Sequence, residues 1–281
     1  MKQYKKYLLL AVLISMTMMS SLLISQRNFS IESIIPSGLR AHRLGFSSIY
    51  VINLPGRTDR RVRMQELASF LGLNFVFHDA VSFLDVDFPM RRNTSGTTVN
   101  LMKNATLACF FSHREVYEQI IQRGDKYALI LEDDIDMEFD IRERMNSFWN
   151  ITLPSEWHLV YFGHCNSPRS NPHQVESFGE TIDSSTGLRR SVNPYCTHGY
   201  AVSQKGAQIL LDQVVREPRS AIDVQIAWAI RKGQLQSYSV VPPWIVQSRD
   251  TPSDISKNWK ELPQQPLNKS VLHRLETQAQ K

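Results

Sequence analysis

The sequence predicts a three-layer α/β domain over about residues 47–250, built on a mainly parallel central sheet. Two observations lead there. Short apolar runs of strand character alternate with stretches whose apolar residues recur every three or four positions, the pattern of strands joined by covering helices. One run, Tyr127-Ala-Leu-Ile-Leu131, shows no polar alternation, as expected of a strand buried on both faces, and it leads directly into Glu132, Asp133 and Asp134. Composition agrees with a packed core: of 281 residues, 42% are hydrophobic and 21% charged.

The first residues stand apart from that domain. Lys2, Lys5 and Lys6 precede an uncharged span from Tyr7 to Gln26, whose apolar core runs from Leu8 to Ile24 and which Arg27 closes. The span has the length of a short membrane helix, and lysines before it leave the bulk of the chain on the lumenal side. Residues 1–25 are therefore expected to be a cytosolic tail and a single transmembrane signal anchor. No Ala-x-Ala site supports the rival reading, a cleaved signal peptide. Sequons at Asn93, Asn104, Asn150 and Asn268 fit a secretory route. Three cysteines, Cys109, Cys165 and Cys196, allow at most one internal bridge. Residues 26–46 are polar, broken by Pro36 and Gly38, and read as a stem.

Within the domain, Ile49–Leu54 is the first strand and Pro55-Gly56 turns the chain. A helix follows from Arg57, with Thr58 or Asp59 as its cap and Met64, Leu67, Ala68 and Leu71 as its apolar face. Gly72 ends it, and Asn74–His78 forms a second strand that ends at Asp79. Residues 82–100 read as a long loop of the kind that forms lids. From about Leu101 to Ile121, Ala105, Cys109, His113, Val116 and Ile120 recur at helical spacing. Beyond the acidic run, Trp157–Phe162 is a strand and 166–194 a second long surface loop. Tyr200–Val202 is a short strand, Ser203 caps a helix through Val215, and Ala221–Ile230 is a helix carrying Asp223. Leu235–Val241 is the last strand, stopped by Pro242-Pro243, and residues 251–281 read as a loosely packed tail.

The chemistry gathers at strand ends. Three adjacent carboxylates cannot share a dry strand interior, so Glu132, Asp133 and Asp134 belong in the crevice at its carboxyl end. They repel one another unless a cation joins them, and a hard divalent ion with oxygen ligands is the natural partner. At the end of the first strand, Asn53, Arg57, Asp59 and Arg60 form a second cluster; Arg57 and Arg60 lie near one helical turn apart and are expected to reach one anion such as a diphosphate. Ser112-His113 on the long helix reads either as part of the site or as a buried core pair. His198 and Asp223 are candidates to accept a proton. A net charge of +5 suits an anionic ligand, but no basic block with interleaved aromatics points to nucleic acid. Neither a Walker lysine motif, nor Gly-x-Gly-x-x-Gly, nor a Gly-x-Ser-x-Gly elbow occurs, which disfavours P-loop, Rossmann and α/β-hydrolase chemistry.

Four stretches in register, Val51-Ile-Asn-Leu-Pro-Gly-Arg-Thr-Asp-Arg-Arg61, Ala108-Cys-Phe-Phe-Ser-His113, Leu129-Ile-Leu-Glu-Asp-Asp134 and Thr197-His-Gly-Tyr-Ala-Val-Ser-Gln-Lys-Gly-Ala207, resemble glycosyltransferase family 25 over about residues 47–230. The resemblance implies a GT-A-like fold, an inverting reaction, Mn²⁺ (or Mg²⁺) and a nucleotide-sugar donor, UDP-galactose by first expectation. A glycan or glycoprotein would be the acceptor. By position, Asn53, Arg57 and Asp59 match the family's nucleotide-binding start, and Arg60 and Asp79 are grouped with them at the donor. Ser112 and His113 match its Ser-His pair, grouped with the donor but with their role left open. Asp134, Asp133 and Glu132 match its metal motif, with Asp134 as the direct ligand. Asp223 matches an Asp of the family's late helix and is ranked ahead of His198 as the base. With the anchor, this implies a single-pass type II protein of the Golgi or endoplasmic reticulum membrane with a lumenal catalytic domain. Two alternatives compete: a metal-dependent phosphoesterase, and a non-catalytic lumenal binding or scaffold protein of the same fold.

Overall fold

A computed structural model describes residues 42–82, 84, 104–151, 153–154, 156–165, 178–248 and 266–279. The expected anchor, most of the stem and most of the loop at 82–100 lie outside the described residues. Among the described residues, no helix is long and apolar enough to cross a membrane.

In chain order the strands are β1 (Ser48–Asn53), β2 (Val76–Asp79), β3 (Tyr127–Glu132), β4 (Ile135–Met137), β5 (Leu159–Cys165), β6 (Phe178–Asp183), β7 (Leu188–Ser191), β8 (Tyr195–Ser203), β9 (Ser237–Val240) and β10 (Ile245–Gln247). The helices are α1 (Thr58–Leu71), α2 (Asn104–Arg123), α3 (Ile141–Asn150), α4 (Gln204–Ile209), continued by a π-helical turn at Leu210–Val214, then α5 (Ile222–Arg231) and α6 (Val271–Ala279). The main sheet has the order β2-β1-β3-β8-β5-β9-β7-β6. Its ladders set β1, β2, β3, β5, β6 and β9 in one direction and β7 and β8 in the other, so the sheet is mainly parallel with two reversed strands.

The three layers follow from the strand sequences. Successive side chains of a strand point to opposite faces, and both sets are apolar in β1 and β3. Ile49, Val51, Leu129 and Leu131 pack with Met64 and Leu67 of α1 and with Met145 and Phe148 of α3. Tyr50, Ile52, Ala128 and Ile130 pack on the other face with Phe110, Tyr117 and Ile120 of α2 and Ile226 of α5. Gly72 closes α1 in the left-handed conformation at φ 61°, as expected, but neither Thr58 nor Asp59 caps its start. Arg57 occupies the cap position, and its side chain makes no capping hydrogen bond. Ser203 does cap α4, accepting the Gly206 N–H.

Three features differ from the sequence expectation. Residues 178–191, read as surface loop, contain the β6–β7 hairpin at the sheet edge. A separate two-stranded sheet pairs β4 with β10, setting Gln247 opposite Ile135. Residues 266–279 of the expected loose tail are docked instead. Val271 and Leu272 are buried, Asp136 accepts the Ser270 hydroxyl at 2.6 Å and the Leu272 N–H at 3.2 Å, and Glu138 accepts the N–H groups of Asn268 and Lys269. Asp136 and Glu138 therefore anchor the end of the chain. One disulfide, Cys165–Cys196, ties β5 to β8 and leaves Cys109 free.

Candidate active site

The carboxyl ends of β1 and β3 open into one cleft, where α1, α2 and β10 add side chains. β3 ends at Glu132, and the turn to β4 carries Asp133 and Asp134. On one side, the Asn53 amide donates to Asp133 Oδ2 at 2.7 Å and the Arg60 guanidinium donates to Asp133 Oδ1 at 2.8 Å. Arg60 also lies 3.3 Å from Asp134 Oδ2, which accepts the Gln247 amide at 3.0 Å. Asp134 Oδ1 is buried and, among the described residues, makes no hydrogen bond.

The electrostatics follow from crowding in a dry place. Burial raises the pKa of Asp133 despite Arg60 and Asn53. Asp134 is pushed up to about 7, first by burial and then by the charge of Glu132, with Arg60 opposing. At both carboxyls, burial together with repulsion from Glu132 thus outweighs the pull of Arg60.

Glu132 faces different partners. Its Oε1 accepts the Thr197 hydroxyl at 2.8 Å and lies 3.4 Å from His113 Nε2. The other ring nitrogen of His113, Nδ1, meets the Tyr200 hydroxyl at 3.0 Å, which in turn meets the Tyr117 hydroxyl at 2.6 Å. Burial works to raise the Glu132 pKa, but His113 chiefly, with His198 and Thr197, outweighs it and holds the carboxyl below its ordinary value. One turn before His113 on α2, Cys109 also lines the cleft. Burial, and then the carboxylates of Glu132, Asp223 and Asp134, push its thiol up. Ser112 donates to the Ala108 carbonyl at 2.8 Å and accepts the Val81 N–H at 2.9 Å, which ties α2 to the segment after β2.

The residues expected from sequence fall into two groups. Asn53, Arg60, Ser112, His113, Glu132, Asp133 and Asp134 come together around the cleft. The others do not join that cluster. Arg57 forms a bidentate pair with Asp59 at 2.9 and 3.0 Å, and this pairing takes the Asp59 carboxyl down to about 2. The two arginines thus pair with different carboxylates, Arg60 with Asp133 and Arg57 with Asp59. Asp79 is exposed and pairs with Arg61 at 3.3 Å. His198 is wholly buried beside Gly163 and Ile245, and burial lowers its pKa. Asp223, at the start of α5, accepts the Cys196 N–H at 3.1 Å and the Val224 N–H at 2.8 Å, and burial raises its pKa.

Sequence reasoning passed over Thr197, Gln247 and Cys109. Thr197 directly precedes His198 in the fourth motif, and Cys109 had been placed by its spacing on the apolar face of the helix. Gln247 sits on a strand that was not anticipated.

Residues 46–226 match the family described as glycosyltransferase family 25 (LPS biosynthesis protein). Over 209 residues the chain is 28% identical to procollagen galactosyltransferase 1 of Danio rerio, a match covering 68% of this chain and 33% of that protein. Over 186 residues it is 27% identical to the human protein named inactive glycosyltransferase 25 family member 3, covering 61% and 30%. The matched part thus spans about a third of the length of these relatives. Among solved structures, a glycosyltransferase involved in the glycosylation of the major capsid of PBCV-1 aligns over 73% of this chain and 93% of its own, at a TM-score of 0.41 and 12% identity. The family match takes in β1, α2, the acidic turn and β8, and the chain belongs to glycosyltransferase family 25.

Proposed function

We propose that this chain is a metal-dependent, inverting glycosyltransferase that moves a hexose, galactose by first choice, from a UDP-linked donor to a hydroxyl of a glycan or glycoprotein. One observation carries the reading. Asp133 and Asp134 lie at the carboxyl edge of parallel strands, held by Asn53 and Arg60, with Asp134 Oδ1 buried and without a hydrogen-bond partner among the described residues. An all-oxygen donor set fits Mn²⁺ or Mg²⁺. Asp134 and Asp133 would hold the cation, which would supply positive charge to a departing diphosphate. Arg60 positions both carboxylates. Family membership and relatives named galactosyltransferases support the donor class.

The acceptor hydroxyl must give up a proton. Asp223 suits that role better than His198, since its carboxylate is half-buried and tethered by two N–H groups, whereas His198 is sealed in the core. The same reading places the protein in the Golgi or endoplasmic reticulum membrane, held by the N-terminal span with the domain in the lumen; alkaline extraction that left it in the membrane pellet would support this placement.

A second reading rests on Arg60. Its contacts with Asp133 and Asp134 give the turn a cation of its own, which would suit a non-catalytic binding protein that holds no metal. One experiment separates the readings. The full chain is incubated with a panel of nucleotide sugars, Mn²⁺ and glycan or glycoprotein acceptors, and with simple phosphate esters. A transferase binds one nucleotide sugar selectively, needs the metal and releases nucleoside diphosphate. Hydrolysis of phosphate esters without an acceptor would establish a phosphoesterase, and no turnover of either kind would leave the binding protein.

A further inference from the structure

We infer that Cys109, His113 and Glu132 form a second, softer metal site, selective for Zn²⁺ and distinct from the carboxylates Asp133 and Asp134. The sulfur, one ring nitrogen and one carboxylate oxygen of these residues all lie within 4.8 Å of one another. Cys109 and His113 are four residues apart on α2, so the helix itself stacks them on one face. Glu132 arrives from the end of β3. In a tetrahedral zinc site, ligand atoms stand roughly 3.3–3.8 Å apart, given bonds of about 2.0–2.3 Å. The 3.4 Å between His113 Nε2 and Glu132 Oε1 already meets that spacing, and it is longer than a good hydrogen bond.

The imidazole turns one nitrogen to the carboxylate at 3.4 Å, an approach that a metal between the two would replace. Its Nδ1 is engaged by the Tyr200 hydroxyl, itself held by Tyr117. Its Nε2 is buried, has no hydrogen-bond partner among the described residues and points at Glu132. A second hydrogen bond at the far nitrogen is what fixes a metal-binding histidine's tautomer and ring plane. Thr197 does the same for Glu132. Cys109 would bind as thiolate, releasing its proton to solvent, and the sulfur is what distinguishes this site from the all-oxygen pair beside it. All three residues line the cleft, which leaves the fourth position of a tetrahedron to water or to a ligand entering the cleft. The inference does not depend on the transferase reading. If that reading holds, zinc here would obstruct the cleft.

The test is a Co²⁺ titration of the folded full chain, since Co²⁺ reports thiolate ligation by a near-ultraviolet charge-transfer band and four-coordination by strong visible bands. One equivalent should produce both, and Zn²⁺ should bleach them. Cys109→Ser should abolish the charge-transfer band. Glu132→Gln, whose amide oxygen can still accept from Thr197, should weaken Co²⁺ binding about tenfold or more. Asp134→Asn should leave the band intact. Circular dichroism checks that each variant is folded, and His113→Gln replaces Cys109→Ser if the latter is not. No band in the folded wild-type chain would overturn the inference, as would a band that survives the loss of Cys109 or disappears with Asp134.

Discussion

Arg60 donates to Asp133 at 2.8 Å with both side chains almost sealed from solvent, 7% and 8% exposed. A buried pair of this kind adds little net stability, but breaking it leaves an unpaired charge in a dry site.

Arg60→Met should therefore destabilise the fold by about 3–5 kcal/mol. Mn²⁺ should recover part of that loss, and should raise the melting temperature of the variant more than that of the wild-type chain, because the variant offers the cation a less compensated pair of carboxylates. Melting curves with and without Mn²⁺ decide this. An unchanged melting temperature in Arg60→Met would mean that the turn is neutralised some other way.

A second prediction separates donor binding from proton transfer. Asp134→Asn should lower donor affinity and turnover together. Asp223→Asn should cut turnover about 10²-fold or more while leaving donor affinity nearly unchanged, since an amide oxygen can still accept the Cys196 N–H but cannot take a proton. Calorimetric donor binding beside single-turnover kinetics gives the split. Lost donor binding in a folded Asp223→Asn chain would move that residue into the donor site, and unchanged turnover would remove it from the mechanism.

Much of the scaffold was legible because long periodic segments announce themselves. β3 is an unbroken apolar run, and α2 repeats its apolar residues over twenty positions. The acidic turn was legible for the same reason, since carboxylates cannot follow such a strand into the core. The failures have local causes. β4 and β10 have three residues each, too few for alternation to register. The contact of Gln247 with Asp134 spans 113 residues and exists only through that pairing. The partners of the two arginines were not legible: Arg57 pairs with Asp59, two residues on, and Arg60 with Asp133, 73 residues on, which helical spacing alone does not reveal.

A third prediction concerns acid stability. Burial holds the His164 imidazole down at about 4, against an ordinary 6.5, while its Nε2 meets the Val240 carbonyl at 3.0 Å. Its folded pKa lies below its unfolded one, so between these values the unfolded chain binds more protons and stability rises with pH. The contribution is complete above about pH 6.5 and is lost as pH falls towards 4, to a limit of about 3 kcal/mol. Burial lowers His78, His158 and His198 in the same direction. Melting temperature should fall steadily from pH 7 to pH 4.5, and less steeply in His164→Asn. Parallel curves for the two chains would exclude His164 as a source of the slope.

The last prediction joins the disulfide to the site. Cys165 and Cys196 are 31 residues apart, and closing a loop of that size is worth roughly 3–4 kcal/mol against the unfolded chain. The bridge has a local effect as well. Cys196 sits in the left-handed region at φ 65°, which a non-glycine residue adopts only when its surroundings hold it there. Two constraints do so: the sulfur bond to β5, and the hydrogen bond from its N–H to Asp223. The next residue, Thr197, is thereby aimed at Glu132. Reduction should lower the melting temperature and, under native conditions well below it, speed hydrogen exchange at the Cys196 amide by about tenfold or more, because the Asp223 contact loses one of the two restraints that keep it formed. Mass-resolved exchange on oxidised and reduced chains measures this directly. Equal exchange at Cys196, together with a lowered melting temperature, would confine the bridge to an effect on the unfolded chain and leave Asp223 alone to hold the strand end.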